Sequence, residues 1–290
     1  MENIVKINKN YLEEINLLDN TEYFGDWVNN ITSLNKQFSE AMPFEHIVID
    51  NFLNEKYADE LHDKFPSDLS DWYKYENPIE LKYTYDLIDK IDRKIKNFFY
   101  HLSSEKIVDT FKKITNIDDL TYDEYLHGAG LHCHPKNGRL NVHLDYEKHP
   151  ITGKERRLNV IYFLSKNWEK EWKGQNELWD KNASQCITKT DVVFNRAIIF
   201  RTNDTSWHGL PEKIMCPENH YRKTLAFYYV TPLSSNKNEE EYRKKAKYTI
   251  TDVNNKKNAG LKKLCEIRAT RRLNEEDIKI YYPDWKKDDM

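Results

Sequence analysis

The sequence predicts an α+β protein in which a jelly roll, a double-stranded β-helix, is buttressed by helices on one side. Helical patterns fill the chain up to about residue 117. Short runs rich in β-branched and aromatic residues fill residues 120–233, and six of the eight glycines fall between those runs. Because helices come first and strands later, the two kinds of element belong to separate layers of one fold.

The N-terminal part of the chain is predicted to be mainly helical. Residues 1–42 form a helical extension, with short polar helices at residues 10–18 and around Trp27. The run FEHIVIDNF that follows alternates well enough to be the first strand. In NEKYADELHDKFP, Asn54 can cap a helix that Pro66 ends.

One or two amphipathic helices come next, and the strands begin after them. Residues 86–117 carry an apolar stripe made by Ile88, Ile91, Ile95, Phe98 and Phe99. The later predicted strands are RLNVHLD, RRLNVIYFLS, NELWD, DVVFNRAIIFRT and RKTLAFYYVTP. We expect residues 43–235 to form one domain, with its jelly-roll core at about 120–233.

Residues 236–290 form a charged C-terminal extension. Apolar residues are few there, apart from an end rich in tyrosine and tryptophan. Its basic residues could contact nucleic acid or a ribosomal surface, but a polar helical tail packed on the domain is the favoured interpretation. The formal net charge of -3 gives no global attraction to nucleic acid or to an anionic membrane, so neither is an expected partner.

Cysteine usage and hydropathy predict a cytoplasmic protein. The four cysteines are far apart and form no CxxC pair, which argues against a disulfide framework or a structural zinc site. The start of the chain has no signal-peptide pattern, and no run of about 18 apolar residues predicts a membrane span.

The first candidate for chemistry is the tripeptide His143-Leu144-Asp145. Residues i and i+2 of a strand point to the same face, so an imidazole and a carboxylate converge there. Two histidines and one carboxylate on one side of Fe(II) leave open positions for oxygen activation. About one such tripeptide is expected by chance in this composition, and a salt-linked surface histidine is the structural alternative.

Two further candidates follow His143 and Asp145 in chain order. His208 lies after the apolar run AIIF, in a turn with Gly209 and Pro211, where it faces a pocket or hydrogen-bonds to the backbone. Arg222 opens a strand in which Thr224 shares its face. A buried arginine beside a hydroxyl can bind a carboxylate through two hydrogen bonds, whereas the alternative is a surface arginine.

Together these elements resemble the 2-oxoglutarate/Fe(II) oxygenase superfamily, and within it the prolyl-4-hydroxylase-like branch. The likeness rests on HxD, RRLNVIYFL, a glycine before ELWD, an apolar strand followed by HG, and RKTLAFYY, in that order. It covers roughly residues 120–233, and the entry PFEHIVIDNFL extends it back to about residue 43. The resemblance implies a jelly-roll dioxygenase that uses Fe(II), 2-oxoglutarate and O2, with ascorbate as an optional reductant.

The resemblance also implies roles for individual residues. His143, Asp145 and His208 are the implied metal ligands and catalytic centre, and Arg222 with Thr224 binds the distal carboxylate of 2-oxoglutarate. Relatives often have a tyrosine where this chain has Phe163, so Asn159 or Tyr125 is expected to replace the missing hydroxyl. Relatives also have Gly-Gly where this chain has Gly174-Gln175. Asp145 favours hydroxylation, because related halogenases carry a small residue at that position.

The implied reaction is hydroxylation of an unactivated C–H bond, with succinate and CO2 as co-products. The substrate is a prolyl or other residue of a protein, or a small metabolite, and the oligomeric state is left open. His132 and His134 are a possible second metal site or substrate contact, but a structural or surface role is favoured. Two other function classes remain, namely a cupin-like metal enzyme that does not use 2-oxoglutarate and a non-catalytic binding module.

Overall fold

Thirteen strands of one antiparallel sheet curl into a nearly closed barrel in the computed structural model, which describes residues 6–251 and 258–288. The fold class predicted from the sequence, a jelly roll with helices, is therefore confirmed. The strands are β1 His46–Ile49, β2 Tyr73–Glu76, β3 Glu80–Tyr85, β4 Thr121–Tyr122, β5 Gly130–His134, β6 Arg139–Leu144, β7 Glu155–Phe163, β8 Asn176–Trp179, β9 Cys186–Thr190, β10 Arg196–Arg201, β11 His208–Leu210, β12 Arg222–Thr231 and β13 Lys247–Tyr248.

The strand order is β1-β10-β7-β12-β5-β3-β6-β11-β8-β9, with β2 on β3, β4 on β12 and β13 on β6. β3 connects two parts of the sheet, because its second half pairs with β5 and its first half pairs with β6. β13 pairs with the remaining half of β6. A bulge between β6 and β11 brings Leu140 to the same side of the sheet as His143.

Eight α-helices lie in the described residues, five before β4 and three after β13. Their bounds are α1 Lys9–Asn16, α2 Ile31–Glu40, α3 Glu55–Lys64, α4 Arg93–Ser103, α5 Glu105–Thr115, α6 Ala259–Arg268, α7 Glu275–Tyr281 and α8 Trp285–Asp288. Asn54 caps α3 as predicted, since its side chain accepts hydrogen bonds from the backbone N–H groups of Lys56 and Tyr57. None of these helices is long and apolar enough to cross a membrane.

Helices α1 to α5 share one hydrophobic core with the outer face of the barrel. β7 alternates Leu158, Val160 and Tyr162 toward the helices with Asn159, Ile161 and Phe163 toward the barrel interior, as a period of two requires. Fully buried residues of the helices meet this outer face, among them Phe38, Ile95, Phe98, Phe99 and Phe111. The interior face is thereby left to the functional side chains.

The C-terminal region packs on the barrel. Tyr248 of β13 and Leu261, Leu264 and Cys265 of α6 form a buried cluster with Ile79, which directly precedes β3. This contact places the C-terminal segment beside β3 and β6. The sequence pattern did not reveal β2 and β3, although YKYE-NP-IELKYTY contains two alternating runs around an Asn-Pro turn.

Candidate metal centre

Two neighbouring strands bring His143, Asp145 and His208 together. His143 is near the end of β6 and lies directly opposite His208, the first residue of β11. Asp145 is the next residue but one after His143. Among the described residues, these three form the one group of histidine, cysteine or acidic side chains able to hold a metal ion, and their ligand atoms lie within 4.8 Å of one another.

The backbone fixes the orientation of both imidazoles. Nδ1 of His143 lies 2.9 Å from the carbonyl oxygen of Asn141, and Nδ1 of His208 lies 2.9 Å from that of Ser206. A ring that donates from Nδ1 to a carbonyl keeps its Nε2 lone pair free. Nε2 of His143 is 3.6 Å from Asp145 Oδ1, and Nε2 of His208 is 3.8 Å from Oδ2, so all three groups face one point.

The surroundings of Asp145 keep its carboxylate ionised. Burial would raise the pKa of Asp145, but Arg156 and the two histidines hold that pKa well below its usual range. Arg156 Nη1 is 3.5 Å from Oδ2, and Asn159 Nδ2 donates to the same oxygen at 3.2 Å. The guanidinium of Arg156 is itself held between the rings of Tyr146 and Tyr228, at 3.7 and 3.4 Å from their centroids.

His208 is neutral at ordinary pH. Burial and the neighbouring His143 lower the pKa of His208 to about 4. A neutral imidazole is the form that binds a metal ion. Two imidazole nitrogens and one carboxylate that face one point are the donor set of mononuclear non-haem Fe(II) oxygenases, so the residues present fit this metal.

Arg222 lies deep in the barrel, in a setting suited to a carboxylate. It is among the largest fully buried side chains, and Nε donates to the carbonyl of Gly174 at 2.7 Å. Its guanidinium carbon lies 4.9 Å from the ring centroid of Phe163. No acid forms an ion pair with it among the described residues, and burial lowers the pKa of Arg222 to about 9. A buried cation is costly unless it is compensated, so Arg222 is suited to bind an anionic group.

The other residues expected to bind the cofactor lie in three different places. Thr224 follows Arg222 on the interior face of β12, opposite His132 of β5 and Phe163 of β7. Asn159 lies at the metal end, where its amide contacts Asp145. The ring of Tyr125 lies near Lys6 and His149, and its contacts in the described chain give no support to a role beside Arg222.

Four interior side chains were not assigned to the site from the sequence. His132 and His134 are opposite Thr224 and Arg222 in the register of β5 and β12. Neither nitrogen of the buried His134 ring has a hydrogen-bond partner. The ring of Tyr248 stacks on His143 with centroids 5.0 Å apart, and Lys82 lies on β3. In the sequence, the i, i+2 spacing of His132 and His134 indicates that they share a strand face, and the alternation in IELKYTY indicates a strand that contains Lys82. No local sequence pattern indicates Tyr248.

A family model of the 2OG-Fe(II) oxygenase superfamily matches residues 129–230, from just before β5 to the end of β12. This match contains all three candidate metal ligands, Arg222 and Thr224. The superfamily resemblance stated from the sequence is thereby confirmed. A search of curated protein sequences gives no match.

Solved structures of similar fold include prolyl hydroxylases. One is the prolyl hydroxylase from Trichoplax adhaerens in complex with a hypoxia inducible factor oxygen degradation domain peptide fragment, with 16% identity, a TM-score of 0.51, and coverage of 73% of this chain and 96% of that chain. A Pseudomonas putida prolyl-4-hydroxylase is 11% identical with a TM-score of 0.46, and the match covers 69% of this chain and 100% of that chain. HygX from Streptomyces hygroscopicus, with nickel, 2-oxoglutarate and hygromycin B bound, is 11% identical with a TM-score of 0.45. That match covers 70% of this chain and 86% of that chain. The first of these supports the barrel fold.

Proposed function

We propose that this chain, which belongs to the 2OG-Fe(II) oxygenase superfamily through residues 129–230, is an Fe(II)- and 2-oxoglutarate-dependent dioxygenase that hydroxylates an unactivated C–H bond. Succinate and CO2 are its co-products. One observation carries the proposal: a histidine–aspartate–histidine group shares the barrel interior with Arg222, a buried guanidinium that has no acid partner in the described residues.

Each side chain of the site has a task in this proposal. His143, Asp145 and His208 hold Fe(II), with both imidazoles oriented by backbone carbonyls. Arg222 binds the distal carboxylate of 2-oxoglutarate, and Thr224 adds a hydroxyl from the same strand face. Bound iron and 2-oxoglutarate together supply the oxidising chemistry that activates O2 against the C–H bond.

The remaining protein groups keep this arrangement in place. Arg156 and Asn159 orient the Asp145 carboxylate, so that it presents its free oxygen to the metal. Phe163, Ile198 and Phe200 form an apolar cluster in the barrel interior, which excludes water around the cofactor. Asp145 also supplies the third protein ligand, which favours hydroxylation over chemistry that needs a halide on the metal.

The fold allows two classes of substrate, a prolyl or other residue of a protein and a small metabolite. The Trichoplax structure of similar fold contains a peptide, and this likeness makes a peptidyl substrate a candidate. We also propose a reducing, cytoplasmic site of action, which the four free cysteines support.

The test measures succinate release from 2-oxoglutarate after anaerobic loading with Fe(II), together with the melting temperature in Mn(II) with and without 2-oxoglutarate. Asp145→Ala and His208→Ala each lower succinate release by about 100-fold or more, because a missing ligand costs metal affinity and geometry. His220→Ala is the matched control, since His220 is exposed and its ring nitrogen contacts a backbone carbonyl.

Three results would contradict the proposal. Unchanged turnover in Asp145→Ala and His208→Ala would show that the triad is not the metal site. Stabilisation by Mn(II) that 2-oxoglutarate does not increase would favour a cupin-like metal enzyme. Absence of any metal binding in the wild-type chain would favour a non-catalytic module.

A further inference from the structure

Lys82 lies on the interior face of β3. This strand runs between β6, which carries His143, and β5, which carries His132. On β3, Thr84 pairs with His132 of β5, and Glu80 pairs with Leu140 of β6. Side chains alternate along a strand, so Lys82 shares the interior face with Thr84 and Glu80. Its ammonium group is close enough to affect the ionisation of His132, His134 and the metal ligand Asp145 electrostatically.

The ammonium group of Lys82 shares its one close acid partner with Arg268, and it also lies 5.1 Å from the ring centroid of Tyr75. Its nearest acid is Glu80, at 3.7 Å, beyond hydrogen-bond distance. The carboxylate of Glu80 already accepts from Arg268 Nε at 2.9 Å on Oε1 and from Tyr248 Oη at 3.3 Å on Oε2. Arg268 therefore neutralises Glu80, and the positive charge of Lys82 is in excess.

The other acid within electrostatic range, Asp145, is also occupied. It faces Arg156 and the metal position, and Arg222 is reserved for 2-oxoglutarate in the proposed function. Burial and Arg268 lower the pKa of Lys82, although Glu80 and Asp145 act in the opposite direction. A buried charge is costly unless it is fully compensated, and because Glu80 is shared with Arg268, Lys82 is able to bind one anionic group from outside the chain.

The side chain of Lys82 is less completely enclosed than that of its neighbour Glu80. The side chain of Lys82 keeps 13% of its exposure, whereas that of Glu80 on the same face keeps 1%. His132, Leu140 and Ile161 also stay half-buried, although each projects from a barrel strand toward the interior. Burial and the Lys82 ammonium lower the pKa of His132 to about 3, so its imidazole is neutral and able to hydrogen-bond to an anionic group.

The C-terminal segment lies beside two of the metal ligands. Tyr248 packs on His143, and Arg243 Nε donates to the backbone carbonyl of Asp145 at 3.2 Å. Arg243 also forms ion pairs with Glu147 and Asp204. The C-terminal segment is thus held against His143 and Asp145 by these contacts.

We infer that Lys82, with His132 beside it, forms a second anion-binding subsite in the barrel, and that the substrate is a small carboxylic acid rather than a residue of a folded protein. The inference deepens the proposed function and rests on it. Lys82 and Arg268 share the single carboxylate of Glu80, and the one positive charge left in excess fits one carboxylate group. A small acid held there lies on the β3 side of the barrel, next to the metal ligands and apart from the path between Arg222 and the metal that 2-oxoglutarate takes in the proposed function.

The experiment compares small acids with their uncharged amides. The probes are the free L-amino acids, the straight-chain acids from propionate to hexanoate, the primary amide of each, and a proline-glycine peptide blocked at both ends. Two readouts are the rise in succinate release with Fe(II) and 2-oxoglutarate, and the melting temperature with Mn(II) and 2-oxoglutarate. The variants are Lys82→Met, Lys82→Arg and, as a matched control on the same hairpin, Lys74→Met.

We expect at least one acid to raise both readouts, and its amide to raise neither. Lys82→Met raises the half-saturating concentration of that acid by about tenfold or more, and that of 2-oxoglutarate by about twofold at most. Lys82→Arg retains acid binding because it keeps the charge, and Lys74→Met behaves as wild type, since Lys74 is an exposed residue paired with Glu76.

The inference is overturned if no acid raises either readout, or if only the blocked peptide does. It is also overturned if Lys82→Met weakens the binding of 2-oxoglutarate as much as the binding of the acid. The last result would assign Lys82 to the cofactor. In each of these cases the wild-type chain still responds to Mn(II) and 2-oxoglutarate. A chain that does not respond to them at all overturns the proposed function, and the inference with it.

Discussion

At the scale of single residues, Arg222 and Gly174 depend on each other. Gly174 has φ +84° and accepts the hydrogen bond from Arg222 Nε, and a Cβ atom at this position would lie 3.2 Å from Cδ of Arg222. A side chain here would be strained and would crowd the arginine stem. The glycine that precedes the ELWD strand is thus part of how the guanidinium is positioned, and the replacement of a second glycine by Gln175 leaves this contact intact.

Arg222→Met should separate cofactor binding from folding. Loss of a buried, hydrogen-bonded charge pair costs about 2–4 kcal/mol, so the KM for 2-oxoglutarate rises roughly 30- to 1000-fold. The variant without cofactor should not be less stable than wild type, because an unpaired buried charge has been removed. Steady-state kinetics and thermal denaturation measure the two effects.

Lys223→Met is the control for Arg222→Met. Lys223 is the next residue of β12, and its ammonium lies on the outer face, 5.1 Å from the ring centroid of Phe65. We expect its KM for 2-oxoglutarate to match wild type. Equal effects of the two substitutions would show that Arg222 has no specific contact with the cofactor.

At the scale of elements, β6 depends on two strands that are distant in sequence. β3 pairs with its first half and β13 with its second, so that Glu80 and Tyr248 meet beside His143. Arg268 of α6 completes this group through Glu80. A C-terminal element therefore supports a metal ligand that lies about a hundred residues earlier in the chain.

Tyr248→Ala should weaken both folding and metal binding. Removal of a buried aromatic ring costs about 3–5 kcal/mol, and here it also frees one face of His143. Tyr248→Phe keeps the stack and loses the hydrogen bond to Glu80, at a cost of about 1 kcal/mol. Urea denaturation and Mn(II) titration distinguish the variants. A Tyr248→Ala chain that binds Mn(II) as wild type does would show that the stack does not position His143.

The sequence predicted those candidate site residues that lie in the strand-rich region. His143, Asp145, His208, Arg222 and Thr224 all fall within the strand-rich region, where the period of two determines which residues share a face. Lys82 and Tyr248 could not be predicted in this way. One comes from a hairpin before the helices and the other from a two-residue strand in the tail, and only tertiary pairing brings them to β6.

At the scale of the whole molecule, a histidine joins the N-terminal region to the helices. The ring of His101 in α4 stacks on Tyr23 with centroids 4.1 Å apart and meets Tyr57 edge-on. Neither of its ring nitrogens has a hydrogen-bond partner, and burial lowers the pKa of His101 to about 4. The packed core therefore holds this imidazole in its neutral form.

The stability of the chain should fall as the pH falls below 6.5. The pKa of His101 is about 4 in the folded chain and near its ordinary 6.5 in the unfolded chain, so the unfolded state takes up the proton first. The stabilisation from neutral His101 is complete above pH 6.5 and is lost toward pH 4. Between pH 7 and pH 5 this one group accounts for about 2 kcal/mol.

His101→Phe is the test of this pH dependence. Phenylalanine keeps the stacking on Tyr23 and cannot be protonated, so the free energy of unfolding should decrease less between pH 7 and pH 5 than it does in wild type. Chemical denaturation at the two pH values, without metal, measures the difference. An equal decrease in both proteins would show that His101 does not contribute.

The pairing of β6 on both sides also restricts how a guest can bind. With β11 along one edge and β3 and β13 along the other, β6 leaves no free row of backbone donors and acceptors. β-augmentation, in which an extended peptide adds itself as a strand, requires such a free edge. A substrate therefore cannot reach the metal by joining the sheet at β6, and has to insert a side chain or a whole small molecule into the barrel.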